Sequence, residues 1–156
     1  MARSETLSGT GAVLPRGAVE FLRRRAWEAT GLALLATGAA FGAALITYTP
    51  ADPSFNSATS APVHNLFGAA GAHAADLALQ AFGLAGGLPA LLLVVWGWRM
   101  ITKRAPSATW PRVVLLFVAM ILLAPAMAAL PLPESWPLAT RMGGVVGNLI
   151  LENILA

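Results

Sequence analysis

The chain has 156 residues, of which 57% are hydrophobic and only 11% charged, with a formal charge of +3 and no cysteine. So small a charged share excludes an ordinary soluble domain and makes the bilayer the natural solvent. The missing cysteine removes disulfide frameworks, thiol nucleophiles and thiolate metal sites, and the arginines lie beside apolar runs, where they read as a positive-inside signal, with contact to acidic lipid or nucleic acid the minor reading.

Residues 1–28 form a hydrophilic head carrying Arg3, Arg16, Arg23, Arg24 and Arg25 against Glu5, Glu20 and Glu28. Its Ser, Gly and Thr predict a disordered start, and Val19 to Trp27 can begin a helix. Residues 29–48 then run apolar without a charge. As a helix they span about 30 Å, enough for one crossing and too long for a typical signal-peptide core, so an uncleaved anchor is expected. Gly38 and Gly42 form a GxxxG within it, a pattern that lets helices approach closely.

The polar run "YTPADPSFNS" follows, with Asp52 between Pro50 and Pro53. Aspartate there is expected to close a turn through its own side chain, not to catalyse, because no paired carboxylate or nucleophile–base constellation accompanies it. His64 and Asn65 are expected to precede or cap the next helix.

Residues 66–101 are too many for one simple crossing, and Gly83, Gly86, Gly87 and Pro89 divide them. Arg23 to Arg25 precede the first span, while Arg99, Lys103, Arg104 and Arg112 surround the next polar loop. If both clusters face the cytoplasm, the 66–101 region supplies a single crossing, at 84–101, with Trp96 and Trp98 as interface anchors. That leaves 66–82 at the outer surface as an amphipathic helix, interfacial or re-entrant. His73, Asp76 and Gln80 fall on one stripe, read as solvated, and Gly68, Gly71, Ala75, Ala78 and Phe82 fall on the opposite, packing or oligomer-forming face.

Residues 113–130 are the third span, with Pro125 inside it, and "PLPESWPLAT" is a second proline-rich outer loop. The final stretch, 142–156, is short and carries Asn148, Glu152 and Asn153. Shifted by 76 positions, Gly68, Gly71 and Asp76 fall on Gly144, Gly147 and Glu152; the outer loops echo each other separately, Pro50, Ser54 and Phe55 having counterparts with the same internal spacing in Pro131, Ser135 and Trp136. The chain therefore reads as a degenerate tandem repeat of outward span, loop, GxxG helix and inward span. On that reading the second repeat stops before its returning span, and the sequence is a piece of a longer protein. The fold class expected is all-α and polytopic: three full spans plus two amphipathic outer-face GxxG helices, the fourth span being either the C-terminal stretch or missing by truncation.

Tyr48, Pro50, Asp52, Pro53 and Ser54, then His64, Asn65 and Gly68, then Gly71 with Ala75–Asp76–Leu77, come in an order that resembles the N-terminal four-span membrane domain of the FtsK/SpoIIIE family of bacterial DNA translocases. The resemblance is good over 27–104 and looser beyond. It implies an inner-membrane protein of the division septum that oligomerises with itself and meets other division proteins; the arginine clusters put its N-terminus in the cytoplasm. The family's ATP-driven motor is not in these residues: the only lysine is Lys103, and no glycine-rich phosphate loop precedes it. A non-enzymatic anchor and assembly module, without cofactor, metal or direct nucleic-acid contact, is thus expected. The rival is a small transporter or channel lined by His73, Asp76 and Glu152, since ionisable groups at membrane depth raise that question.

Overall fold

The computed structural model describes residues 15–102, 109–134, 136, 138 and 140–156. Arg3 and Glu5 of the head, Lys103 and Arg104 of the basic loop and Ser135 of the loop echo lie outside the described residues.

Five α-helices make up the fold, with no strand among the described residues: α1 (Arg16–Ile46), α2 (Gly68–Phe82), α3 (Leu88–Ile101), α4 (Thr109–Ala128) and α5 (Gly144–Leu155), with a 3-10 turn over Gly83–Gly87. Three helical runs are long and apolar enough to cross a membrane, Gly17–Ile46, Gly68–Ile101 and Trp110–Ala128, and α5 is a shorter apolar helix. The chain is a helical membrane protein.

α1 follows Pro15, whose extended backbone (φ −56°, ψ 142°) sends the chain into the helix. Its 31 residues reach about 46 Å, well past an apolar core of about 30 Å, so the helix continues from the membrane run back into the charged head. There Glu28 accepts from Arg25 at 2.6 Å and Arg24 at 3.3 Å, one turn away, which suits the exposed helical start.

α1 packs antiparallel along α3, the most extensive contact in the molecule. Glycine makes the seam possible. A Cβ on Gly38 would stand 2.8 Å from the Ala90 carbonyl oxygen, and one on Gly97 2.5 Å from that of Gly31. Gly42 contributes less, its nearest neighbour being Ala90 Cβ at 3.9 Å. The tight seam is therefore Gly31, Gly38 and Gly97, an interface of small residues in which backbones approach because side chains do not intervene.

The segment 68–101 breaks at its glycines. Gly83 takes a positive φ of 59° and ends α2, and Pro89 enters in the first turn of α3, where its missing N–H costs nothing. The residues 84–87 expected to open the second span belong to the 3-10 turn.

α2 bridges the loop ends of α1 and α4. Asn65, just before it, donates from Nδ2 to the Ala44 carbonyl at 2.8 Å. At its far end, Leu84 N–H donates to the Met142 carbonyl at 2.9 Å, and Gly83 lies so close to Met142 that a Cβ would overlap that carbonyl oxygen. Gly143 and Gly147 in turn press on the Ala124 carbonyl of α4. Gly87 comes back beside Leu45, so both ends of the 68–87 segment meet the same end of α1. The small-residue core at this end includes Ala44, Ala75, Ala85, Ala124 and Ala128, all buried.

Candidate functional site

Two fully buried carboxylates, Asp52 and Asp76, each 1% exposed, organise the loop end of the molecule. Burying a charge is costly unless hydrogen bonds replace its water, and both receive them. Pro50 sits at the first corner of a turn closed by Asp52 N–H on the Thr49 carbonyl at 3.1 Å. That turn aims the Asp52 side chain away from its own loop strand and toward the entry to α2. Its oxygens accept from His64 N–H at 2.8 Å, His64 Nδ1 at 3.1 Å and Asn65 N–H at 2.9 Å. Burial pushes the Asp52 carboxyl up, but the hydrogen bonds from His64 and Asn65 outweigh it and leave the group below its ordinary range.

Asp76, on α2, accepts from Tyr48 Oη at 2.9 Å, Asn56 Nδ2 at 3.0 Å and Gln80 Nε2 at 2.7 Å. Asn65 joins the Asp52 cluster to the end of α1: Nδ2 donates to Ala44, and Oδ1 accepts from Phe67 N–H at 3.1 Å. Thr47 helps, its hydroxyl donating to the Ala43 carbonyl and accepting from Leu66 N–H. Ser54 caps its own turn by accepting from Asn56 and Ser57 N–H. Phe55 meets the His73 ring edge-on, centroids 4.8 Å apart. The whole is a clasp fastening the 47–67 loop to α1 on one side and α2 on the other.

Several expectations change. Asp76 is not on a solvated face: the loop folds over that stripe, and Tyr48 and Asn56 replace water. His73 is partly covered by Phe55, with Nδ1 on the Ala69 carbonyl at 2.7 Å. Asp52 does not close a turn through its own side chain but reaches twelve and thirteen residues onward. His64 precedes α2, as expected, without capping it; its N–H and Nδ1 both serve Asp52, and its side chain is 62% exposed. Glu152, the third residue of the channel reading, is exposed near the end of α5. Nothing in the hydrogen bonds joins it to His73 or Asp76.

The small-residue face divides into packing and conformation. Gly71 lies under Asn65 and Phe67, Ala75 is fully buried, Ala78 packs on Gly86, Gly144 on Gln80 and Gly83, and Gly147 on Ala124. Gly68 has nothing within 4 Å of where a Cβ would stand. Its reason is backbone: φ is 62°, matched by 66° at Gly144. Asn56 and Thr47 were not singled out in the sequence, and no pattern marks them, because their partners lie far along the chain.

Arg23 to Arg25, Arg99 and Arg112 lie at the other end, whereas Arg141 stays at the loop end on the Ala128 carbonyl. Arg23 shares a cavity with Met100 of α3, placing the α1 arginines beside Arg99, while Arg112 opens α4. No group of three or more His, Asp or Glu residues able to hold a metal occurs among the described residues.

A family model described as the 4TM region of DNA translocase FtsK/SpoIIIE matches residues 23–155. A DNA translocase FtsK of Bradyrhizobium diazoefficiens is 39% identical over 139 residues, covering 89% of this chain and 17% of that protein. One of Azospirillum brasilense is 38% identical over 136 residues, covering 86% of this chain and 22% of its own length. One of Caulobacter vibrioides is 32% identical over 123 residues, covering 76% and 15%. The chain thus spans about a fifth or less of the curated relatives it matches. No solved structure matches it.

Proposed function

Because the chain belongs to the family of four-transmembrane regions of FtsK/SpoIIIE DNA translocases, we propose that it is the membrane anchor and assembly module of a cell-division translocase. In this reading it holds the protein in the inner membrane at the septum, with its N-terminus cytoplasmic and the 47–67 loop outside. It serves chromosome partition through a motor that these residues do not contain, and is not itself an enzyme. Its partners are the bilayer, further copies of itself and other division-site membrane proteins, and it makes no direct contact with nucleic acid.

The observation that carries the reading is the match over 23–155, which is a match to the membrane region and to no other part of the relatives. The clasp supports it. Both buried carboxylates are fully engaged in holding the loop to the helix ends, which leaves them no reacting partner and suits a shape-bearing surface on the outer face of that membrane. The absence of native cysteine makes a topology test direct. A single cysteine placed at Phe55 should react with an impermeant reagent in intact cells, and one placed at Arg24 only after lysis. A fluorescent fusion of this chain should form a band at the division plane; uniform membrane fluorescence would sink the septal assignment while leaving the anchor intact.

A further inference from the structure

Around the basic end of the α1–α3 pair lies a cavity of about 220 Å³ lined by Arg23, Ala26, Trp27, Thr30 and Met100. Trp27 and Thr30 follow Arg23 by four and seven residues along a single helical face, and Met100 lines the cavity from α3. The volume equals that of several liquid waters, at about 30 Å³ each, so it has room for more than solvent.

The three adjacent arginines are not equivalent. Arg24 and Arg25 both bond Glu28, and the Arg25 guanidinium also lies 5.4 Å from the Phe21 ring centroid. Arg23 has no hydrogen-bond or ion-pair partner among the described residues, and it is the one that lines the cavity. Trp27 likewise donates its indole N–H to nothing described there. Thr30 is different, its hydroxyl being committed to the Ala26 carbonyl at 2.8 Å. The free donors are thus one guanidinium and one indole N–H, above a wall made by Ala26 and Met100.

The length of α1 sets the depth. The helix outruns the hydrocarbon layer, so its first turns lie at headgroup level, where Trp and Arg side chains are stable with a wet tip and an apolar body. Donors of this kind in a cleft between helices match a phosphodiester, and the apolar wall matches the glycerol and first methylenes below it. We propose that this cavity binds the headgroup of one anionic phospholipid, held by Arg23 and Trp27. The proposal needs only that the chain sits in a bilayer, so it stands or falls separately from the septal assignment.

The test uses the full chain in zwitterionic detergent, titrated with phosphatidylglycerol, phosphatidylcholine or inorganic phosphate, with bound lipid counted by native mass spectrometry. One phosphatidylglycerol should bind saturably, about fivefold tighter than phosphatidylcholine, the effect of one arginine near a charged surface. Arg23→Gln should abolish that preference, Arg23→Lys should keep part of it, and Arg24→Gln should leave it unchanged. An equal loss in Arg24→Gln would mean diffuse surface charge and overturn the site. So would equal binding of the two lipids, or displacement by inorganic phosphate at the lipid's own concentration, which would mark a free-anion site. If Arg23→Gln does not fold, Trp27→Phe carries the test: removing only the indole N–H should weaken phosphatidylglycerol about threefold, and no change would overturn the assignment.

Discussion

The turn that leads into α2 and the turn that leads into α5 share one backbone design, but the polar side chains described around them differ. In both, the helix opens on a glycine with φ above 60° whose N–H returns to the carbonyl three residues back, Gly68 to Asn65 at 2.9 Å and Gly144 to Arg141 at 2.8 Å. In both, the side chain of that earlier residue ties off the preceding span, Asn65 on the Ala44 carbonyl and Arg141 on that of Ala128. The ties close 21 residues in the first case and 13 in the second. The longer loop is what supplies Tyr48, Asp52 and Asn56 to the clasp. In the shorter one, Trp136 Nε1 donates to the Thr140 carbonyl, while Thr140 Oγ1, and Asn148 Oδ1 on α5, are buried without a partner among the described residues. A repeat is thus preserved as a backbone solution to ending one helix and starting another, while its polar decoration depends on loop length.

The shared glycines give the largest expected effect and the strictest test of that comparison. Their φ values match, so Ala at either position pays the left-handed penalty of about 1–2 kcal/mol. Their surroundings do not match. A Cβ on Gly144 would stand 2.6 Å from Gly83 N and 2.7 Å from the Gln80 carbonyl oxygen, both backbone, whereas one on Gly68 meets nothing. Gly144→Ala should therefore lose about 3–4 kcal/mol, the conformational penalty plus overpacking, and Gly68→Ala about 1–2 kcal/mol. Unfolding in mixed micelles followed by circular dichroism reads both. Equal losses would show that the contact between the two repeats, at Gly83 and Gly144, contributes little.

The clasp comes next. Asp52→Ala leaves the His64 and Asn65 N–H groups without their acceptor and should cost about 2–3 kcal/mol. Its pH dependence has a definite sign. The folded carboxyl is held below its ordinary range, so the unfolded chain takes up the proton first. The stabilisation is complete above the unfolded value of about 3.9 and disappears as pH falls through the lower folded value. Wild-type protein should lose stability on acidification below about pH 4 more steeply than Asp52→Asn, measured by the same unfolding assay. Parallel curves would mean that the Asp52 carboxylate is no better held in the folded state than in water.

What the sequence made legible follows from the range of each interaction. Helix breaks at Gly83 and Pro89, the apolar runs and the offset linking Gly68 to Gly144 all follow from local residue chemistry. The stripe of His73, Asp76 and Gln80 was visible as well, because helical periodicity is local. What covers the stripe was not visible. Tyr48 and Asn56 reach Asp76 across 28 and 20 residues, and no periodicity carries information over that distance. The α1–α3 seam was half legible for the same reason: Gly38 stood out in a GxxxG, whereas Gly31 and Gly97 matter only because the two helices place them face to face.

The smallest expected effects separate the two repeats at single atoms. Tyr48→Phe removes one hydroxyl donor from Asp76 and keeps the ring, so the carboxylate retains Asn56 and Gln80. A hydrogen bond to a charged group is worth about 1.5–3 kcal/mol, and with two donors left the loss should fall at the low end. The counterpart of Asp76 under the 76-residue shift is Glu152, which is exposed and unclasped. Glu152→Gln should change stability by less than about 0.5 kcal/mol, as substitutions at exposed positions usually do. A double mutant should then show the sum of the two single effects, because nothing connects the sites. A coupling energy outside the usual additivity error of about 0.3–0.5 kcal/mol would place Glu152 in contact with the clasp, and the difference drawn between the two repeats would fail at that residue.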